Sequence, residues 1–330
     1  MKYSIIVPVY NRPDEVDELL ESLTKQTLKD FEVIIVEDGS IKPCKDVCEK
    51  YANILDLHYY AKENSGPGQS RNYGAERSNG EWLIILDSDV VLPEGYLEAV
   101  EKSLASSTPI EAWGGPDAAH PSFTPVQKAI SYSMTSFFTT GGIRGGKAKL
   151  DKFYPRSFNM GIRRDVYLKL EGFTKMRFGE DIDFSYRIVE AGYMPRLFPE
   201  AWVWHKRRTD FRKFFRQVYN SGIARINLEK RHPGTMKLVH LLPTVFTLGV
   251  IVLLLITLIF TYACVPIILY SAIIFIDSSI KNKSLWVGLL SIPAAFVQLM
   301  GYGFGFIESW WKRCVLKQDE FTAFEKNFYK

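Results

Sequence analysis

The sequence predicts an α/β domain built on a mostly parallel sheet, joined to C-terminal helices that sit in a membrane. Three observations predict it. Short apolar runs alternate with helical patterns over roughly the first hundred residues, the mark of strand–helix–strand units. Two of those runs end in acidic clusters, Glu37-Asp38 and Asp87-Ser88-Asp89. Further on, 39 consecutive residues (Leu238–Ile276) and then 24 more (Ser284–Ile307) contain no Asp, Glu, Lys or Arg, where a helix needs roughly 20 apolar residues to cross a bilayer.

The elements follow in order. Ser4–Val9 is a short apolar run, hence a buried strand. Pro13 suits the first turn of a helix, Asp14 and Glu15 favour its N-terminus, and Val16, Leu19, Leu20 and Leu23 repeat at helical spacing. Phe31–Val36 is a second strand and Leu57–Tyr60 a short third. The turn Ser65-Gly66-Pro67-Gly68 leads into a helix over Gln69–Arg77. Trp82–Leu86 is the next strand, and Pro93-Glu94 opens another helix. In such sheets ligands bind at the carboxyl ends of the strands, where both acidic clusters fall.

Whole-chain averages conceal the division. At 330 residues, 47% hydrophobic and 24% charged, with a mean hydropathy of −0.06, the chain resembles an ordinary soluble protein. Those values exclude a disordered chain, a collagen and a disulfide scaffold. Charge is as uneven as hydropathy. Lys206–Lys237 holds ten Lys and Arg against Asp210 and Glu229, a net +8 in a chain of net +4, so the remainder is −4. A basic belt directly before a hydrophobic run is expected on the cytoplasmic side, against lipid headgroups and not nucleic acid. The apolar stretch Tyr3–Tyr10 is too short for a signal peptide, so the first part of the chain is expected in the cytosol. Four cysteines fit a reducing compartment. Cys44 and Cys48 lack a second ligand pair, and no metal is expected there.

The acidic clusters carry the first functional signal. Asp87 and Asp89, one residue apart after a buried strand, can hold a hard divalent cation with positions left open to phosphate oxygens, although Asp-x-Asp is also ordinary turn chemistry. Arg71, early in the helix after the Gly-rich turn, either pairs with a diphosphate or is a surface arginine. Glu180-Asp181-Ile182-Asp183 opens a helix whose Ile182, Tyr186 and Val189 are helically spaced. A carboxylate there either acts as a general base toward a hydroxyl or caps the helix.

The motifs YSIIVPVY with Asn11, VIIVEDGS, SGPGQSRNYG, IILDSD, FNMGIRRDVY and FGEDIDFSYRI, in that order, resemble the family 2 glycosyltransferases of GT-A fold, nucleotide-diphospho-sugar transferases with a Rossmann-like mixed sheet. The resemblance covers residues 1–210. It implies that Pro8, Tyr10 and Asn11 line the nucleotide pocket and that Glu37 and Asp38 match the acidic pair of the second strand, with Glu37 standing where the family often has Asp. Arg71 would approach uracil or phosphate. Asp87 and Asp89 would be the Asp-x-Asp metal motif, binding Mg²⁺ or Mn²⁺. Asn159, Arg163, Arg164 and Glu180 would border the acceptor. Asp181 would be the catalytic base. His205 either faces the metal or diphosphate or is an interfacial residue beside the basic belt. The reaction implied is inverting transfer from a nucleotide-diphosphate sugar to an acceptor hydroxyl.

The sequence thus divides into a catalytic domain (1–209), a basic amphipathic juxtamembrane segment (210–237) and a membrane anchor with a short tail (238–330). Phe211, Phe214, Phe215, Val218 and Tyr219 interleave with Arg212, Lys213 and Arg216, as in a helix at the membrane interface or packed on the catalytic domain. Leu238–Ile276 is expected to fold as a hairpin near Tyr262–Pro266. The Gly- and Pro-containing stretch Leu285–Ile307 either spans or is a bent or re-entrant segment, with two crossings the expected number. Lys312, Arg313 and Lys317 favour a cytoplasmic C-terminus, and an even number of crossings satisfies both basic flanks. The polysaccharide synthase motif Gln-x-x-Arg-Trp is absent, since Gln217 is followed by Val218-Tyr219-Asn220-Ser221. The expectation is a non-processive transferase at the cytoplasmic (inner) membrane of a bacterium, facing the cytosol and acting on a polyprenyl-diphosphate-linked or other membrane-held glycan. A polyprenyl-phosphate sugar synthase and a non-catalytic nucleotide-sugar-binding scaffold are the alternatives. Loops such as Trp113–His120 and Thr139–Lys152 are expected to set specificity.

Overall fold

A computed structural model describes residues 1–105, 109–140 and 153–323. Most of the loop Thr139–Lys152 lies outside the described residues. The chain forms two compact units, Met1–His120 with Leu150–Lys206, and Pro121–Lys149 with Arg207–Lys330.

In the first unit the elements are β1 (Tyr3–Val9), α1 (Pro13–Thr24), β2 (Phe31–Asp38), α2 (Lys45–Tyr51), β3 (Asp56–Lys62), α3 (Pro67–Glu76), β4 (Trp82–Leu86), β5 (Val90–Val91), α4 (Tyr96–Leu104), β6 (Ala112–Gly114) and β7 (Asp117–Ala118). After α5 (Pro125–Thr135) and α6 (Phe137–Thr140) of the other unit come β8 (Asn159–Arg163), α7 (Arg164–Lys169), α8 (Glu180–Glu190), β9 (Arg196–Leu197) and β10 (Val203–His205). The main sheet has the order β3-β2-β1-β4-β8-β6-β9, and β5-β10-β7 form a small second sheet. β1 to β4 are mutually parallel, but β8 runs antiparallel to both β4 and β6. The sheet is therefore mixed.

Side chains alternate across the strands and build a core on each face. Ile5, Val7 and Val9 of β1 pack with Val16, Leu19, Leu20 and Leu23 of α1 and with Leu97 and Val100 of α4. Ile6 packs on the opposite face with Ala75 of α3, Val166 of α7 and Phe184 and Ile188 of α8. The chain leaves β1 on one side toward β2 and β3, then returns to place β4 on the other. The carboxyl ends of β1 and β4 flank this switch point, where open α/β sheets form their ligand crevice.

The second unit holds α5, α6, α9 (Phe211–Arg231), α10 (Leu242–Thr257), α11 (Val265–Asn282) and α12 (Leu285–Trp310). Asp210 caps α9 by accepting the Lys213 N–H at 2.7 Å, and Phe214, Val218 and Ile223 are buried. α10 and α11 form a hairpin through a short 3₁₀ turn at Thr261–Cys264. α12 is one continuous helix with Pro293 inside it. Leu238–Thr257, Thr261–Asn282 and Leu285–Val315 are each long and apolar enough to cross a membrane.

Candidate active site

β4 ends in a turn that carries Asp87, Ser88 and Asp89, and β10 delivers His205 to the same place by pairing with β5, His205 opposite Val90. One ligand atom from each of Asp87, Asp89 and His205 lies within 4.8 Å of the others. His205 Nε2 is 3.2 Å from Asp89 Oδ1, and the Phe158 ring stacks on the imidazole at 4.8 Å between centroids. Two carboxylates and an imidazole at this separation are a donor set suited to a divalent cation.

Arg71 ties this cluster to a second one. Pro67 at the start of α3 and Gly66 at φ 92° set the helix so that Arg71 points inward, buried to 3% exposure. Its Nη2 donates to Asp87 Oδ1 at 2.7 Å and its Nη1 to Glu180 Oε1 at 3.1 Å. Burial opposes the charge of Arg71, but Asp87 and Glu180 outweigh it and push its pKa up. Gly179, left-handed at φ 86°, turns the chain into α8 and starts that helix at Glu180. Burial, and then the charge of Asp181, raise the Glu180 carboxyl to about 7 against the opposing pull of Arg71. Beside it, Asp181 accepts the Arg156 Nε–H at 2.6 Å through Oδ2 and the Ile182 N–H at 2.9 Å through Oδ1.

Several expected pocket residues shape loops. The Asp38 carboxylate accepts the backbone N–H of Ser65 (2.8 Å) and of Gly66 (2.9 Å) and pairs with Lys62. Glu37 accepts from Ser40 and, at 2.7 Å, from the Cys44 N–H. Asn11 sits at φ 54° and accepts the N–H groups of Ile41 and Lys42 at 2.8 and 2.9 Å. These bonds pin the loops after β2 and β3 around the strand ends. Pro8 and Tyr10, at the end of β1, are partly exposed.

The antiparallel course of β8 separates the residues expected on the acceptor side. Asn159 pairs with Leu86 at the acidic end of β4, whereas Arg163 pairs with Trp82 at the opposite end. Arg163 and Arg164 thus lie across the sheet from Asp87, where Arg163 pairs with Asp165 at 2.7 Å and Arg164 donates to Ser78 at 3.1 Å. Asn159 is fully buried, donating to the Ala201 carbonyl at 2.8 Å and accepting from Tyr96 Oη at 2.7 Å. It presents no side-chain surface to a ligand. Glu180 stays with the carboxylates.

Sequence reasoning missed three cations. Arg12 donates to Asp89 Oδ2 at 2.9 Å and to Glu15 Oε2 at 2.7 Å. Arg156 holds Asp181, and Lys62 holds Asp38. No spacing rule in the sequence selects any of the three.

A parallel-to-mixed sheet with acidic strand ends around a basic bridge defines a GT-A nucleotide-diphospho-sugar fold. Residues 4–170, just over half the chain, match Glycosyl transferase family 2, and the chain belongs to that family. An uncharacterized glycosyltransferase of Haemophilus influenzae is 33% identical over 193 residues, 57% of this chain and 62% of that protein. The poly(ribitol-phosphate) beta-N-acetylglucosaminyltransferase TarS of Staphylococcus aureus is 41% identical over 93 residues, 27% of this chain and 16% of TarS. The chain thus matches less than two thirds of the length of these relatives. Among solved structures, the mannosyltransferase PcManGT of Pyrobaculum calidifontis, in complex with GDP-Man and Mn²⁺, shares the fold over 94% of this chain and 88% of its own, with TM-score 0.64 and 16% identity. S. aureus TarS superposes over 69% of this chain and 40% of its own, with TM-score 0.50 and 21% identity.

Proposed function

We propose that the protein is an inverting, metal-dependent glycosyltransferase that moves a sugar from a nucleotide-diphosphate sugar to a hydroxyl of a membrane-held, polyprenyl-diphosphate-linked glycan in bacterial cell-surface glycan assembly, from the cytosolic face of the inner membrane. The convergence of Asp87, Asp89 and His205 at the sheet switch point, bridged by Arg71 to Glu180 and Asp181, carries this reading.

Mg²⁺ or Mn²⁺ held by Asp87, Asp89 and His205 would supply positive charge to the departing nucleoside diphosphate. Arg71 is buried and fixed by two carboxylates, so its guanidinium is oriented before the donor arrives. Asp181 is the base that takes the proton from the acceptor hydroxyl. Arg156 and the Ile182 N–H hold its two oxygens in one orientation. Asp38, Glu37 and Asn11 act on the donor pocket by fixing its loops, with Pro8 and Tyr10 on its wall. The similarity of fold to a mannosyltransferase in complex with GDP-Man and of sequence to an N-acetylglucosaminyltransferase supports a nucleotide-sugar donor.

A screen of nucleotide sugars by calorimetric binding and by hydrolysis, with and without Mn²⁺, tests the reading. Binding and turnover that depend on Mn²⁺ support it. Binding without hydrolysis or transfer under any condition would leave a scaffold, and equal service by water-soluble acceptors would remove the membrane-held acceptor.

A further inference from the structure

The three apolar helices are unequally clothed. The most apolar stretches of α10 and α11 are each 11% buried within the protein, but that of α12 is 39% buried. From Ile251 to Ile273 the hairpin contains no buried residue, and Leu258, Ile259 and Tyr262 at its turn are 83%, 94% and 73% exposed. All four buried residues of the hairpin, Thr247, Val250, Ile274 and Ser278, lie toward its base.

α12 meets the hairpin at that base. Thr247 Oγ1 reaches the Leu299 carbonyl at 3.5 Å, and a Cβ on Gly303 would run into Thr247. Ser278 and Ser291 share a hydrogen bond of 2.6 Å, and a Cβ on Gly288 would run into Ser279.

The other side of α12 is taken by polar-faced helices. Over its first half, Val287 and Ala294 pack with Ala129 of α5 and Ala295 packs with Tyr132. Over its second half it lies against α9 at backbone distance. A Cβ on Gly222 would collide with the Tyr302 carbonyl, and one on Gly305 with the Tyr219 carbonyl. Ser309 Oγ donates to the Ile223 carbonyl at 3.3 Å, and Tyr219 Oη to Glu308. α9 carries Arg212, Lys213, Arg216, Arg225, Lys230 and Arg231. A helix bound this closely to α12 would be drawn into hydrocarbon if α12 crossed, at about 2.5–3.5 kcal/mol for each Lys or Arg at a helix centre. The same cations are favourable at an anionic headgroup surface.

We propose that α12 lies along the membrane face without crossing it, between the basic helix α9 and the base of the α10–α11 hairpin, and that the chain enters the lipid bilayer through that hairpin. Part of the turn's backbone is bonded within itself. The Leu258, Ile259 and Phe260 N–H groups go to Leu255, Ile256 and Ile256 carbonyls, and the Ala263 N–H goes to Phe260, as hydrocarbon demands. The 26 residues of α12 span about 39 Å at 1.5 Å per residue, ample to cross, so apolarity and length alone misassign it. The proposal rests on the membrane reading above and is independent of the sugar chemistry.

Cysteine labelling in vesicles tests it on the full chain. Native Cys314, exposed beyond α12, marks one end. Lys283→Cys, exposed just before α12 and combined with Cys314→Ser, marks the other, with Cys264→Ser in both cases and Cys44 and Cys48 buried. Asn282→Cys serves the same end should Lys283→Cys fail to accumulate. A membrane-impermeant maleimide should label positions 283 and 314 in vesicles of the same orientation, with loss of both signals in the opposite one. Labelling of the two positions from opposite sides would overturn the in-plane helix while leaving the anchor intact. Release of the chain from membranes by alkaline carbonate would overturn the anchor itself.

Discussion

Arg12 joins the end of β1 to the end of β4: its Nη1 stands 2.9 Å from Asp89 Oδ2 while His205 Nε2 stands 3.2 Å from the other oxygen of the same carboxylate. Burial works against the Arg12 charge, but Asp89 and Glu15 prevail and push its pKa up. The Asp89 carboxylate thus has a fixed cation beside it. Arg12→Ala removes that cation and should lower the stability of the metal-free protein by about 1–3 kcal/mol, the cost of leaving a buried charged group short of a partner. Mn²⁺ should then raise the melting temperature of the variant more than that of the wild type, since a ligand that replaces the missing charge gains most where the charge is absent. Equal Mn²⁺-induced shifts in the two proteins would detach Arg12 from the cation site.

Asp38 offers a separable test of structure against ligand contact. Its two oxygens already receive the Ser65 and Gly66 N–H groups and Lys62. Asp38→Ala would strand two donors of the turn that starts α3, at about 1–3 kcal/mol for each group left unsatisfied. The melting temperature should therefore fall in the absence of any nucleotide. A variant that melts as the wild type does and loses only donor affinity would return Asp38 to a direct role on the nucleotide.

The elements near the N-terminus were legible because their signals are local. The run Phe31–Val36 became β2, Phe31–Asp38, and Leu57–Tyr60 became β3, Asp56–Lys62. β2 extends at its end by Glu37 and Asp38, and β3 by Asp56 before and Ala61-Lys62 after, mostly polar residues that apolarity does not mark. Strand direction is not local. Nothing within Asn159–Arg163 says that it pairs antiparallel to β4, and that pairing alone sends Arg163 to the far edge of the sheet. The cations at the site were hidden for the same reason. Arg156 and Asp181 are 25 positions apart, and Arg12 and Asp89 are 77 apart. The 24 uncharged residues at Ser284–Ile307 told of a long apolar helix and nothing of α5 and α9, which cover it.

Glu180 should give the stability a pH dependence. Burial and Asp181 raise its carboxyl from 4.5 to about 7, so between those values the folded protein holds a proton that the unfolded chain releases. Its contribution is fully present below pH 4.5 and is lost as pH rises through 7. Melts of the detergent-solubilised chain from pH 4.5 to 8 should show this loss superimposed on the other titrations, and Glu180→Gln, which cannot ionise, should remove it. Identical pH slopes for the variant and the wild type would count against the raised carboxyl.

The strongest discriminator of the chemistry is Asp181. Its carboxylate is fixed by Arg156 at 2.6 Å and by the Ile182 N–H, and it neighbours Glu180, which binds Arg71. A base toward a hydroxyl contributes typically 10²- to 10⁴-fold, so Asp181→Asn should lower kcat by about that factor and leave the dissociation constant of the nucleotide sugar nearly unchanged. Asn keeps the shape and an acceptor oxygen but cannot take the proton, which separates proton transfer from positioning. Arg156→Gln loosens the carboxylate without removing it and should cost less in kcat than Asp181→Asn. A phosphate acceptor is already ionised and needs no base. Full turnover by Asp181→Asn with a polyprenyl phosphate would therefore transfer the assignment from a glycan hydroxyl to a lipid phosphate, with the donor side of the site unchanged.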